Sequence, residues 1–362
     1  MPNYLMYRDD IETIAPDESE TKQKIVDVMT DGMELARKKY GRSVRVSHAK
    51  AHALLKGELI VDEGLPLELA QGLFAKPGRY EVLVRMAQQP GELLDDSKLS
   101  TDRGLSVKVL GVDGPKLQGH TASTQDWVFD VGKQFLANGM KEFLQAFKPN
   151  AEIAPKLSDS VKGAVSTAAR ITNTALNAVG ANSEKLGFYG HPVVHPASEE
   201  YFSQTAFRYG DYVAKLGFFP SSPGLAALKE QPFDPQTPDA LRDAMNSYFK
   251  SNPAEFELRV QLNTGLDDMP IEEAQAEWSE SLSQYQTVAR LIIPSQTAWD
   301  PAKDNYFEDL SFSPAHALLA HRPLGGINRA RLLAYKMLAA RRLADNGKTA
   351  ETPTSLADLP VE

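Results

Sequence analysis

The sequence predicts an α+β fold, an antiparallel β-barrel with α-helical additions. The first observation is that apolar and polar faces alternate along three runs, Arg79–Ala87, Gly104–Val112 and Asp126–Val131, as in strands with one buried face. The second is that Gly, Pro, Asp or Asn residues separate most of the short runs. This spacing favours an antiparallel barrel over a doubly wound parallel sheet, in which strands alternate with helices.

Three later runs complete the set of expected strands. They are Tyr212–Phe219, Glu255–Asn263 and Gln286–Ile293. Each is short enough for one crossing of a small barrel, and turn residues lie around them.

Helices are expected before, between and after the strands. Residues Glu18–Lys39 predict an amphipathic helix because Ile25, Val28, Met29 and Met33 share one side, and Gly41 is a normal helix stop. Further helices are expected at Gly139–Phe147, Val161–Val179 and Pro238–Ser251, the last with Thr237 as its N-cap, and at Ile327–Leu343.

These elements predict one large domain with two appendages. Residues 1–41 form an N-terminal arm and helix, residues 42–346 form the core, and residues 347–362 form a polar C-terminal tail that is expected to be frayed. No internal repeat and no linker between two cores is visible in the sequence.

Composition excludes several classes of function. The 362 residues carry a net charge of -9, so no nucleic-acid partner is expected. The chain contains no cysteine, which excludes thiolate nucleophiles, iron–sulfur clusters and cysteine-ligated metals. The N-terminus has no apolar signal region and no stretch is long enough to span a membrane, so a cytoplasmic location is expected.

The most informative local pattern is an Arg–Tyr–Arg stripe near the C-terminus. Arg331, Tyr335 and Arg342 fall on one face of the helix predicted at Ile327–Leu343. An arginine one turn from a tyrosine favours the phenolate, which is a ligand for ferric iron. On its own, such a stripe is usually a solvated helix face.

The histidines give no clear motif by themselves. His48 and His52 are four residues apart, as in a zinc-protease pair, but no Glu follows His48 and no helix is predicted there. No nucleophile-elbow or Walker A sequence occurs. Taken alone, His48 is more often a structural residue than a catalyst.

Several segments together resemble the haem catalases, in the family's order. They are Arg45-Val-Ser-His48-Ala-Lys50, Tyr80–Arg85, Asp102–Lys108, Asp126–Leu136 with Phe143 beyond it, and the Arg331, Tyr335 and Arg342 stripe. The resemblance runs with gaps from about Tyr40 to Arg342. It is closer to the small catalase-related proteins, a catalase core without the C-terminal domain, and it implies a catalase-like, haem-dependent barrel.

The resemblance implies a role for each matched residue. Tyr335 would be the axial ligand of haem b, and Arg331 would keep it ionised. Arg45, Arg85 and Arg342 would pair with the haem propionates, because a guanidinium fork suits a carboxylate. His48 would be the distal acid–base group. Phe135 and Phe143 would be aromatic residues of the haem pocket.

Two positions depart from the family pattern on the distal side. Asp130 matches the distal asparagine, although a slip in register would put Thr124 or Val131 there instead. An ionised carboxylate accepts hydrogen bonds but does not donate them as an amide does. Ala87 stands where the family has a serine that bonds the distal histidine. Asp130 is expected to act beside His48 in catalysis, with altered chemistry.

The expected function is haem-dependent metabolism of a peroxide, by a catalase or a peroxidase. The substrate is hydrogen peroxide or an organic peroxide, and an organic electron donor is an expected further partner. One alternative is rearrangement or cleavage of a fatty-acid hydroperoxide, of the allene oxide synthase type. Another is a non-catalytic haem-binding protein with a decayed distal site. The sequence is compatible with a homo-oligomer and with a monomer.

Overall fold

The computed structural model describes residues 3–178 and 189–359. Its strands are all antiparallel to their neighbours. The strands are β1 (Ala51–Val61), β2 (Gly78–Gln88), β3 (Arg103–Leu110), β4 (Thr124–Val131), β5 (Tyr201–Phe202), β6 (Phe207–Tyr209), β7 (Tyr212–Pro220), β8 (Ala254–Leu262) and β9 (Gln286–Ile293).

The strands close into a barrel. Hydrogen-bonded neighbours run in the order β5-β4-β3-β2-β1-β9-β8-β7, and β5 also pairs with β7, which completes a ring of eight. The short strand β6 forms a hairpin with β7 outside that ring. Closure removes the exposed edges that an open sheet would present. The predicted antiparallel barrel with helical additions is confirmed.

Apolar side chains fill the barrel interior. Val84, Val107, Trp127 and Phe218 are buried there, in a single cluster that draws on most of the strands. Because successive side chains in a strand point to opposite faces, the residues between them face outward. The exterior of β2 to β4 therefore carries a second set of side chains, and helices cover that surface.

Two rows of this exterior surface position the candidate site. Arg85 on β2 lies opposite Ser106 on β3, which lies opposite Val128 on β4. One step along the strands, Ala87 lies opposite Gly104, and Gly104 lies opposite Asp130. On the far side of the first row, Lys108 and Asp126 form a fully buried ion pair with an Nζ–Oδ2 distance of 2.7 Å.

The helices lie outside the barrel. They are α1 (Glu18–Tyr40), α2 (Met140–Glu152), α3 (Asp159–Ala178), α4 (Pro223–Lys229), α5 (Ala240–Phe249), α6 (Pro301–Asp309) and α7 (Gly326–Asp345). Helices α1, α2 and α7 pack on one another through Ile25, Met29, Phe147, Ile327 and Leu338. Among the described residues, no helix is both long enough and apolar enough to cross a membrane.

Some expectations about the helices are confirmed and others are wrong. Helix α1 ends at Gly41, whose φ of 71° is left-handed, as predicted. Helix α2 continues beyond Phe147, through Pro149. Thr237 is not the N-cap of α5: Asp239 occupies that position, and the Thr237 hydroxyl donates to Asp243 at 3.1 Å. The prediction for Val161–Val179 agrees with α3 as far as residue 178, and Val179 lies outside the described residues.

The C-terminal tail is held against the protein rather than frayed, as far as residue 359. The Glu351 N–H donates to the Asp309 carbonyl at 2.8 Å, and Lys348 Nζ lies 2.8 Å from an Asp309 carboxylate oxygen. Leu356 and Leu359 pack on a buried cluster that includes Leu83. The expectation of a frayed tail missed these apolar anchors because each stands alone among polar residues.

Candidate active site

A large cavity lies between the exterior of β2 to β4 and the layer formed by α1, α2 and α7. The space between protein atoms there, counted out to the open solvent at its mouth, is about 980 Å³. Eight of the nine residues predicted for the site line it: Arg45, His48, Arg85, Phe135, Phe143, Arg331, Tyr335 and Arg342. The ninth, Asp130, contacts His48.

His48 is held in an uncommon backbone conformation. Its φ of 56° is in the left-handed region, which costs a residue with a side chain about 1–3 kcal/mol. Two hydrogen bonds to β2 and its continuation hold it there. The His48 N–H donates to the Gln89 carbonyl at 2.7 Å, and Arg85 Nη2 donates to the His48 carbonyl at 2.6 Å. The imidazole is therefore placed by the backbone of the barrel.

Gly104 makes room for that imidazole. A Cβ at Gly104 would lie 2.5 Å from His48 Cε1, 2.7 Å from His48 Nδ1 and 3.0 Å from Asp130 Oδ1. Only a residue without a side chain lets the ring rest this closely on the strand. A glycine inside a strand pattern is a sequence signal for close approach, and the sequence reasoning gave it no role.

His48 and Asp130 form a close buried pair. His48 Nε2 lies 3.2 Å from Asp130 Oδ1, although that oxygen has no hydrogen-bond partner among the described residues. Asp130 is thus the residue that faces His48, whereas Val131 is buried inside the barrel and Thr124 begins β4 at its other end. No side chain of the described residues bonds His48 Nδ1, which agrees with alanine at position 87.

Burial sets the protonation of the pair. Burial, with the charges of Arg85 and Arg331, lowers the pKa of His48 to about 3, so the imidazole is neutral at pH 7. Burial raises the pKa of Asp130 to about 7. Near pH 7, Asp130 is therefore divided between its ionised and its protonated form. A protonated carboxyl donates a hydrogen bond, as an amide does.

Helix α7 carries the second wall of the cavity. The Arg331 guanidinium lies 5.6 Å from the centroid of the Tyr335 ring. Arg331 Nη1 donates to Asn328 Oδ1 at 3.1 Å, and the Asn328 amide donates in turn to the carbonyls of Ala206 and Leu324 at 3.0 Å. A buried amide therefore holds the cation beside the phenol.

Three arginines meet at one margin of the cavity, and we call Arg45, Arg85 and Arg342 the arginine cluster. Glu308 at the end of α6 lies between two of them, with Oε1 3.5 Å from Arg45 Nη1 and Oε2 3.2 Å from Arg342 Nη1. Burial alone would raise the pKa of Glu308, but Arg45 and Arg342 hold it below its usual value. Burial and the charge of Arg45 lower the pKa of Arg342 to about 10.

Sequence reasoning missed Glu308. The start of helix α6 has a signal, the N-cap Asp300 followed by Pro301, but the long-range pairing of Glu308 with its arginines has none in the local sequence.

The remaining wall is apolar. The Phe135 and Phe143 rings lie 5.5 Å apart between centroids. Met29 and Met33 of α1 line the same cavity, which the sequence reasoning did not foresee although it placed both on one side of the helix. The cavity thus combines a cationic margin, a tyrosine, a neutral histidine and an apolar surround.

A buried ionic cluster lies outside the cavity, beside the row formed by Ala87, Gly104 and Asp130. His191 Nδ1 lies 2.9 Å from Asp102 Oδ1, its Nε2 contacts Glu199, and Arg103 Nη1 lies 2.6 Å from Glu199 Oε2. Burial opposes a charge on His191, but Glu199 and Asp102 outweigh it and raise its pKa to about 9. His195 accepts a hydrogen bond from the Ala197 N–H. Both histidines have structural partners.

Comparison with known proteins identifies the fold. No family model matches the chain, and no curated protein sequence is similar to it. A fungal catalase matches 95% of this chain and 66% of its own with a TM-score of 0.59 and 15% identity. Catalase A from Saccharomyces cerevisiae matches 94% of this chain and 68% of its own, with a TM-score of 0.59 and 14% identity. A bacterial catalase matches 93% of this chain and 64% of its own, with a TM-score of 0.56 and 14% identity.

These matches confirm a catalase-like fold. The chain spans about two thirds of the length of the catalase chains that it matches. At this level of identity the likeness concerns the fold, and the chemistry of the site must be argued from the residues in the cavity.

Proposed function

We propose that the protein binds haem b in this cavity and uses it to reduce a peroxide, as a catalase or a peroxidase. One observation carries the proposal: Tyr335, His48 and the arginine cluster all line a single cavity. A phenol for ferric iron, cations for two propionates and an apolar surround together form a donor set that can hold haem b. Residues far apart in sequence supply that set together.

Each residue has a role in holding the group. Tyr335 would hold the iron through its phenol oxygen, with the Arg331 guanidinium beside its ring. The arginine cluster would bind the propionates, because guanidinium forks bind carboxylates with paired hydrogen bonds. Phe135 and Phe143 would pack on the apolar surface of the ring. When bound, haem supplies an iron centre that exchanges electrons with the peroxide.

The protein itself supplies the proton transfers. His48 is neutral at pH 7, so its Nε2 can take a proton from one peroxide oxygen and return it to the other as the O–O bond breaks. Protonated Asp130 would donate a hydrogen bond to the peroxide beside Nε2. An asparagine amide would donate the same hydrogen bond, whereas an ionised Asp130 cannot donate it.

A second candidate is the conversion of a fatty-acid hydroperoxide. Its support is the apolar wall, to which α1 contributes Ile25, Met29 and Met33. An acyl chain gains free energy from burial against such a surface, by about 25 cal/mol per Å² of apolar area. Hydrogen peroxide gains nothing from it.

Haemin titration of the full chain, followed by absorbance, tests the proposal. The unaltered protein should give a tyrosinate-type ferric spectrum, and Tyr335→Phe should bind haemin much more weakly. Tyr212→Phe is the matched control, since this half-buried tyrosine packs on Tyr4 and does not line the cavity. If haemin bound Tyr335→Phe as well as the unaltered protein, the assignment of Tyr335 as the iron ligand would be wrong.

The two candidate reactions separate by substrate. Oxygen evolution from hydrogen peroxide identifies a catalase, and oxidation of an organic donor identifies a peroxidase. Consumption of a fatty-acid hydroperoxide with no donor supports the second candidate. A chain that binds haemin but turns over none of these substrates would be the non-catalytic haem-binding protein.

A further inference from the structure

The carboxylate of Glu308 faces the arginines that would bind the haem propionates. It is buried, and its Oε1 lies 3.5 Å from both Arg42 and Arg45 while its Oε2 lies 3.2 Å from Arg342. The guanidinium N–H groups that it attracts are the ones that the proposed function assigns to the propionates. One carboxylate of the protein therefore stands in the same charge environment as two carboxylates of the ligand.

The arginines do not depend on this carboxylate alone for their positions. Arg342 Nη1 also donates to the backbone carbonyl of Glu308, and Arg45 Nη2 donates to the carbonyl of Leu310 at 2.9 Å. Arg85 Nη2 donates to the carbonyl of His48. Backbone acceptors thus hold all three guanidiniums, so a change confined to the Glu308 side chain would leave the cluster in place.

The charges indicate what the carboxylate does. Three buried or half-buried guanidiniums repel one another at low dielectric, and a nearby anion relieves that repulsion. Two propionates would relieve it as well, and Glu308 would then repel them and share their hydrogen-bond donors. The same side chain therefore has opposite effects on the protein before and after haem binds.

We propose that Glu308 is an internal competitor of the haem propionates. It stabilises the protein without haem and weakens the binding of haem. This inference rests on the proposed function, because it needs haem in the cavity. It gives the chain a built-in limit on its affinity for the cofactor, which favours reversible loading.

The test compares Glu308→Gln with the unaltered full chain in two measurements. Without haemin, the variant should unfold at a lower temperature, because the arginine cluster loses its anion. In a haemin titration the variant should bind haemin about tenfold more tightly. This is the effect of one charge-assisted hydrogen bond between a propionate and the arginine cluster for which Glu308 no longer competes. The dimethyl ester of haemin, which lacks carboxylates, should show no such gain.

Glu12→Gln is the matched control. Glu12 is a glutamate that lies between two arginines, Arg322 at 2.6 Å and Arg329, and none of the three lines the cavity. Its variant should lose thermal stability and keep the haemin affinity of the unaltered protein. If Glu308→Gln does not fold, Glu308→Asp should show the same two changes with smaller size.

Three results would overturn the inference. A weaker or unchanged haemin affinity of Glu308→Gln, with normal binding by the unaltered protein, would show that Glu308 does not compete. An equal gain with the dimethyl ester would place the effect outside the carboxylates. No haemin binding by the unaltered protein would overturn the proposed function, and this inference with it.

Discussion

The contact between Gly104 and His48 allows the sharpest test of the site. In Gly104→Ala, the new Cβ would lie 2.5 Å from His48 Cε1, whereas carbon atoms in contact normally lie about 3.5–4.0 Å apart. The imidazole must therefore move by about 1 Å. A displacement of that size at a catalytic group costs on the order of 100-fold in rate, and overpacking costs about 1–3 kcal/mol of stability.

The assay measures turnover of hydrogen peroxide or an organic peroxide at saturating haemin, with haemin affinity measured separately. Gly104→Ala should lose about 100-fold in turnover and retain its haemin affinity, since Tyr335 and the arginine cluster are untouched. Gly265→Ala is the control, because a Cβ there meets no atom within 4 Å. Turnover by Gly104→Ala at the rate of the unaltered protein, with full haemin content, would refute the role assigned to His48.

The remaining predictions concern protonation and a buried ion pair. Turnover should fall as the pH rises through about 7, where Asp130 loses its proton, and Asp130→Asn should lose that dependence; identical pH profiles would contradict the assignment. His191 has a raised pKa of about 9, so its stabilising charge is fully present below about 6.5 and is lost as the pH rises through about 9. The melting temperature should fall across that window, and an equal fall in His191→Gln would refute this. Lys108→Met should lower the free energy of unfolding in urea by about 3–5 kcal/mol, because it leaves Asp126 buried without its cation. The double variant with Asp126→Leu should recover most of that loss, and a single variant as stable as the unaltered chain would contradict it.

Alternation made much of the barrel predictable. Strands β2, β3 and β4 bury one face in the interior, so their two-residue period is visible in the sequence. Strand β1 was not predicted, because the runs Leu54-Leu55 and Leu59-Ile60-Val61 interrupt the alternation of its sequence. The short strand β5, which closes the ring, has too few residues for any period.

The site was predictable only as a set of residue types. Resemblance named His48, Tyr335 and the arginine cluster, which face one cavity in the structure, and their chemical roles stay predictions. Glu308 could not be found, since its partners lie far away in the sequence. The protonation of Asp130 could not be found either, because burial is a property of the folded chain.

Alternate residues of the barrel strands point in opposite directions, so that one set packs the interior and the other set faces outward. Along β2 and β4, Met86 and Phe129 fill the interior, while their neighbours Ala87 and Asp130 point outward, on the side of the barrel where His48 lies. A substitution at an outward position changes what touches a ligand and leaves the interior packing as it was. The side chains beside the cavity can therefore change one at a time, by natural variation or by engineering, while the set of side chains that packs the barrel interior stays the same.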